Sequence, residues 1–265
     1  MRLPDTAEIR FYTSTPGLAE TYPVVPARKV IPDWWRNMPP EMTEPAAPGT
    51  PTSTARRCPG LLETLTMGWV LPLWMDIAIE EHDGQVTDIF TPPGGTPLAG
   101  HTLAMRPGMP MYHDEAHITI KLDGAWVVDT PPGYLLRFDP VPYAVDAPLI
   151  AVPGAYHGDI LHQVNPVCRY RLQGDGRHVI EAGTPLAHLT VIRAADQRLT
   201  VSCRRDDARY EDLSWRGKGG IGVHGNRLIP NAYRQAVKTH QAAPASLGRS
   251  VRTLLARLRT RSPDA

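Results

Sequence analysis

Hydrophobic and polar positions change rhythm along this chain. RRCPGLLETLTMGWVLPLWMDIAIEE, beginning at Arg56, predicts a short helix over Leu61 to Leu65 and then a mostly apolar strand through Trp74 to Ile79. Period-two runs follow in HITIKL, AWVVD, YLLRF, HVI, HLTVIR and LTVSCR. Gly and Pro turns separate them at the spacing of a sandwich or barrel, so an all-β core is expected. Upstream, residues 1–30 form an extended, proline-punctuated lead-in. IPDWWRNMPP then predicts one short helix capped by Asp33 and carrying Trp34 and Trp35. EPAAPGTPTST, at 44–54, has no period and predicts a surface loop. Near the other end, Val251, Leu254, Leu255 and Leu258 recur at helical spacing among arginines, predicting a basic amphipathic helix.

Composition sharpens this picture. Proline, at 28 residues, outnumbers glycine at 22 and argues against long helices. A length of 265 residues suits one elaborated core. The expected division is an extended arm with a short Trp-bearing helix over 1–56, a β core over 57–205, and a Gly-rich loop with a basic helical tail over 206–265. A formal charge of +1 gives no ground for electrostatic capture of nucleic acid or anionic lipid, so the expected partner is a small-molecule ligand. The apolar run LTMGWVLPLWMDIAI is broken by Pro72 and ended by Asp76, short of the roughly 20 residues a membrane span needs. Three cysteines, Cys58, Cys168 and Cys203, have no metal-type spacing, and the expected setting is reducing and cytoplasmic.

Candidate chemistry concentrates in the middle of the chain. His101, His113 and His117 fall close together in GHTLAMRPGMPMYHDEAHITI. If 112–118 is a strand, His113, Glu115 and His117 share one face, with Asp114 on the other. Two histidines and a carboxylate are a donor set for non-haem iron or zinc, and the cofactor expectation is a divalent metal, iron, zinc or magnesium. The same residues on a solvated strand face would need no ligand. A second group, His157, Asp159 and His162, lies in AYHGDILH. There His157 and Asp159 share a face of an extended strand and His162 takes the other. Arginines beside Cys58 in RRCPG could activate its thiol, although no base is near it in sequence. No P-loop, no GxGxxG followed by a helix and no paired CxxC is present, which leaves nicotinamide, flavin and ordinary kinase chemistry unsupported.

The phrases PARKVIPDWWRNMP, RRCPGLLETLTMGWVLPLWMDI, WVVDTPPGYLLRF and GTPLAHLTVIR, within residues 26–193, resemble an uncharacterised family common in large tailed phages and scattered in bacteria. More broadly, DTPPGYLLRF, GAYHGDI and IEAGTPLAHLTVIR resemble β-clip domains of the dUTPase and dCTP-deaminase type. That resemblance implies a β-clip-like distorted sandwich or barrel, with sites between the subunits of a homo-oligomer, a trimer in many such proteins. It places Asp76 at an early acidic strand position and Tyr156 under a ligand ring. It also makes RGKGGIGVHG similar to a glycine-rich arm that closes over triphosphate, with Arg216 and Lys218 supplying charge. The chain departs from the dUTPase pattern at Pro153, where the water-activating Asp would stand, and a proline cannot act as general base. It also lacks the Arg-Ser-Gly phrase, RFDPVPY following Leu136 instead.

The reading is a small-molecule-binding β-clip-like protein, an enzyme acting on a nucleotide-like or other small polar substrate without the dUTPase Asp. Its site residues are Asp76, His101 and His157 for catalysis, with Tyr156, Arg216 and Lys218 for substrate. One alternative is a metal-dependent tailoring enzyme or oxygenase using His113, Glu115 and His117. The other is a non-enzymatic assembly or scaffold protein. One scaffold hosts many chemistries, so fold alone leaves the three open.

Overall fold

The computed structural model describes residues 8–43, 49, 51–92, 117–122, 124–194, 202–220, 223–224, 227–228, 235 and 237–238, with only the backbone of 215–220, 223–224 and 227–228. Its strands are, in chain order, β1 (Arg10–Tyr12), β2 (Val25–Pro26), β3 (Glu41–Thr43), β4 (Pro51–Ser53), β5 (Trp69–Pro72), β6 (Ile77–His82), β7 (Gln85–Phe90), β8 (His117–Lys121) and β9 (Val127–Asp129). There follow β10 (Tyr134–Asp139), β11 (Leu149–Ala151), β12 (Gly154–His157), β13 (Val167–Arg171), β14 (Gly176–Ile180), β15 (Pro185–Arg193), β16 (Val223–His224) and β17 (Arg227–Leu228). The fold is mainly β and its sheets are antiparallel. Among the described residues, no helix is long and apolar enough to cross a membrane.

The chain divides into two compact units, Met1–Pro32 with Glu63–Val201 and Asp33–Leu62 with Ser202–Ala265. The first unit contains a five-stranded sheet, β12-β10-β15-β5-β2, and three-stranded sheets β11-β13-β8 and β14-β6-β7. Strand β15 is flanked on both sides, and its Leu186, Ala187, His188 and Leu189 are all buried. Burial of four successive residues departs here from the period-two pattern expected of HLTVIR, as suits a strand covered on both faces. Strand β13 alternates cleanly, sending Cys168 and Tyr170 inward. Their partners in the core include Leu71, Leu73, Ile79, Ile120, Leu136 and Leu189. Burial holds the Cys168 thiol well above its ordinary pKa, so it acts as a small apolar residue.

Three sequence expectations change here. The lead-in is more than an arm, since β1 pairs with β9 and β2 closes the five-stranded sheet through β5. Pro26 suits that edge because an edge strand can spare a donor. The strand expected through Trp74 to Ile79 is two strands, β5 and β6, separated at Leu73–Asp76. Leu73 still pairs its N–H with Thr184 O and its carbonyl with Gly183 N, so the break re-aims the chain without orphaning that backbone. Of LTVSCR, residues 199–201 lie outside the described residues, and 202–204 form no strand.

The second unit carries the expected Trp helix at Asp33–Asn37, with Trp35 buried, and the β3–β4 hairpin. Arg56 donates from Nη1 to the carbonyls of Arg36 and Met38, both at 2.7 Å, and so closes that helix end. Arg57 pairs with Glu41 at 2.9 Å. The two guanidiniums expected to activate Cys58 are thus engaged with other partners. Helix Asp207–Gly220 takes in Arg216 to Gly220, correcting the Gly-rich loop expected there. The stretch resumes as the β16–β17 hairpin. The basic tail helix expected around Val251 to Leu258 lies outside the described residues.

Candidate functional site

Two of the chain's most recognisable phrases meet in the first unit. WVVDTPPGYLLRF supplies β9, a turn through Thr130 to Gly133, and β10. Gly133 takes φ +86° in that turn, a conformation that glycine adopts without steric cost. GAYHGDI supplies β12, which runs antiparallel to β10 with Tyr156 opposite Leu136 and His157 opposite Leu135. Beyond His157 the chain turns tightly, and the amides of Ile160 and Leu161 donate to the His157 carbonyl at 3.1 and 2.9 Å.

Gly158 lets this turn seat directly on Thr130. A Cβ at Gly158 would lie 2.6 Å from Thr130 Cγ2 and 2.9 Å from its Oγ1. Thr130 is only 2% exposed, and its Oγ1 has no hydrogen-bond partner. Asp159 Oδ1, one residue beyond Gly158, is also buried and unpartnered. It lies 3.8 Å from Nδ1 of His157, whose side chain is 45% exposed. Each buried polar atom left without a partner costs about 1–3 kcal/mol. Two such atoms stand at one turn, which makes it the candidate site. Chemically, the arrangement is a carboxylate beside an imidazole nitrogen. At 3.8 Å Asp159 makes no hydrogen bond to Nδ1, but its charge favours a proton on that nitrogen, which leaves Nε2 to accept or deliver one.

Tyr156 is held by contacts within the first unit. Its ring stacks on Phe138, with centroids 5.6 Å apart and planes 24° from parallel, and its hydroxyl donates to Gln163 O at 3.0 Å. Burial raises the pKa of that hydroxyl and keeps it a donor. Tyr156 therefore fastens the hairpin floor, with one ring face already covered. His162 is exposed, and its Nδ1 lies 2.9 Å from the carbonyl of Val128, which fixes the proton there and leaves Nε2 as acceptor in the neutral ring. His157 and Asp159 come together through the turn after β12, not through strand alternation.

Asp76 is exposed, just before β6, and its Oδ1 accepts from Ala182 N at 2.8 Å, tying down the β14–β15 turn. That bond gives it a structural task. His101, His113 and Glu115 lie outside the described residues. His117 begins β8, facing Arg171 across the pair with β13. Arg216 and Lys218 belong to helix Asp207–Gly220, and their side chains lie outside the described residues.

Sequence reasoning missed a second polar cluster. Strand β6 carries Glu81 inward behind Ile77 and Ile79, and its side chain has no solvent exposure. The carboxylate accepts from the Tyr170 hydroxyl at 2.5 Å, the Gln173 amide at 2.9 and 3.0 Å, and the Gly174 amide at 3.0 Å. Burial by itself would raise the Glu81 pKa. Those hydrogen bonds, with His178 nearby, outweigh it and hold the group below its ordinary value. Burial and the bond to Glu81 together raise the Tyr170 hydroxyl. Every partner is satisfied, so this cluster fixes the β13–β14 turn. Outside it, His82 lies 3.4 Å from Asp175 and 3.5 Å from Asp83. The three are exposed and form the one His and carboxylate group of metal-ligating spacing among the described residues. The signal for Glu81 was its place in the Ile77, Ile79, Glu81 alternation. For Thr130 the sequence offered none.

No protein-family model matches the chain, and no curated protein matches it either.

Proposed function

We propose that this is a small-molecule-binding protein of β-clip-like architecture whose ligand site is the turn where Thr130, His157, Gly158 and Asp159 meet. The observation that carries this reading is the pair of buried, unpartnered oxygens, Thr130 Oγ1 and Asp159 Oδ1, beside an exposed imidazole. Convergent polar groups at a place where hydrogen bonds are left open are what a ligand completes. His157 acts as proton donor or acceptor, and Asp159 is its positioning residue. The ligand is a small polar molecule, and the resemblance to dUTPase-type domains supports a nucleotide-like one. Pro153, in place of a carboxylate, directs the reading away from dUTP hydrolysis.

A ligand screen by thermal shift tests it, with nucleosides, nucleotides and small polar metabolites against the intact chain. Stabilising hits should lose their effect in His157→Ala and Asp159→Asn while both variants keep the parent unfolding temperature. Hits that stabilise parent and variants equally would place the site elsewhere and overturn the assignment.

A further inference from the structure

We infer that the group received at this turn is a cationic amine. The inference rests on the ligand-site reading above and narrows it. Both open atoms can accept: a carboxylate accepts only, and a threonine hydroxyl accepts as readily as it donates. A donor would give each of them a partner. Among the described residues, His157 is the one ionic neighbour of Asp159. A second carboxylate, Asp129, stands immediately before Thr130 and is exposed. The residue paired with it across β1, Arg10, has its guanidinium on Glu8 at 2.7 and 3.0 Å. The turn is therefore locally negative. Phosphate and carboxylate groups are repelled, which sets phosphate-bearing nucleotides aside among the small polar ligands considered above, whereas an ammonium brings three donors and the complementary charge. Ile160 and Leu161, 76% and 52% exposed, follow Asp159 directly and offer apolar surface for the body of such a ligand. An amine with an aromatic or aliphatic body fits better than ammonium ion alone.

Benzylamine is the probe, with benzyl alcohol and benzoate as matched controls of the same shape. Each is titrated into the isotope-labelled full chain near pH 7 to about 20 mM, a range suited to a fragment of this size. Benzylamine should shift the amides of Thr130 and His157 to Asp159 saturably, and benzoate should leave them unmoved. Asp159→Asn should weaken benzylamine about tenfold, the loss expected of one charge-assisted contact. Thr130→Val should weaken it several-fold, and Asp175→Asn should leave it unchanged. Equal binding of benzyl alcohol or benzoate at the same amides would overturn the amine inference and leave the site standing. Saturable shifts confined to other amides would overturn both. Absence of any benzylamine shift would overturn the amine inference, and the broader screen would then decide the site.

Discussion

Replacing Glu81 by alanine removes the acceptor of three donors at once: the Tyr170 hydroxyl and the amides of Gln173 and Gly174. A hydrogen bond to a charged group contributes about 1.5–3 kcal/mol, but the three losses do not add. Gln173 and Gly174 lie in a turn at the surface, where water can replace the carboxylate. Tyr170 is fully buried and has no such recourse. The expected cost is therefore about 3–5 kcal/mol, the range for removing one partner of a buried charged pair. Tyr170→Phe, which leaves the amide bonds intact, should cost about 1–2 kcal/mol. The Glu81 pKa is depressed in the folded state. Its contribution is therefore complete above the unfolded value of about 4.3 and is lost as pH falls through the folded pKa. The parent's advantage over Glu81→Gln should accordingly be largest near neutrality and shrink in acid. Urea unfolding followed by tryptophan emission between pH 3 and 7 measures both effects. A Glu81→Ala variant within about 1 kcal/mol of the parent, or a Glu81→Gln difference independent of pH, would refute the reasoning.

Three further substitutions test the backbone around the site and elsewhere in the fold. Gly158→Ala places a methyl 2.6 Å from Thr130 Cγ2, and because a β-branched side chain has little freedom to yield, it should cost about 1–3 kcal/mol in urea unfolding and weaken ligand binding. Gly68 and Gly84 both have φ +70°, but a Cβ at Gly68 would lie 2.2 Å from the Leu189 carbonyl and one at Gly84 would meet nothing within 4 Å. Gly84→Ala should then cost about 1–2 kcal/mol from backbone conformation alone, and Gly68→Ala clearly more, as read from the two denaturation midpoints.

What the sequence made legible was local. YLLRF, HLTVIR and HITIKL became β10, the C-terminal part of β15, and β8, because strand propensity and turn residues agree there with the tertiary pairing. The helices around Trp34 and Leu61 likewise follow from their own residues and appear at Asp33–Asn37 and Pro59–Thr66. The apolar run through Trp74 misled because composition does not show a change of direction. Its break is set by pairing with Gly183 and Thr184, more than a hundred positions away. The site was half legible. His157 and Asp159 stand two apart in one phrase, although their contact arises from a turn. Thr130 was invisible because its meaning depends on Gly158 seating against it. Tyr156 was singled out for its ring, and the structure uses that ring on Phe138.

The central claim is that Thr130 keeps its hydroxyl for a ligand and not for the fold. It is tested most directly by the unfolding free energy of Thr130→Val without ligand. Valine matches the shape and removes an unpartnered buried oxygen, so the variant should equal the parent or exceed it by about 1 kcal/mol. A loss of about 1 kcal/mol or more would mean that the hydroxyl is bonded within the native protein, contradicting the assignment of this turn as a binding site.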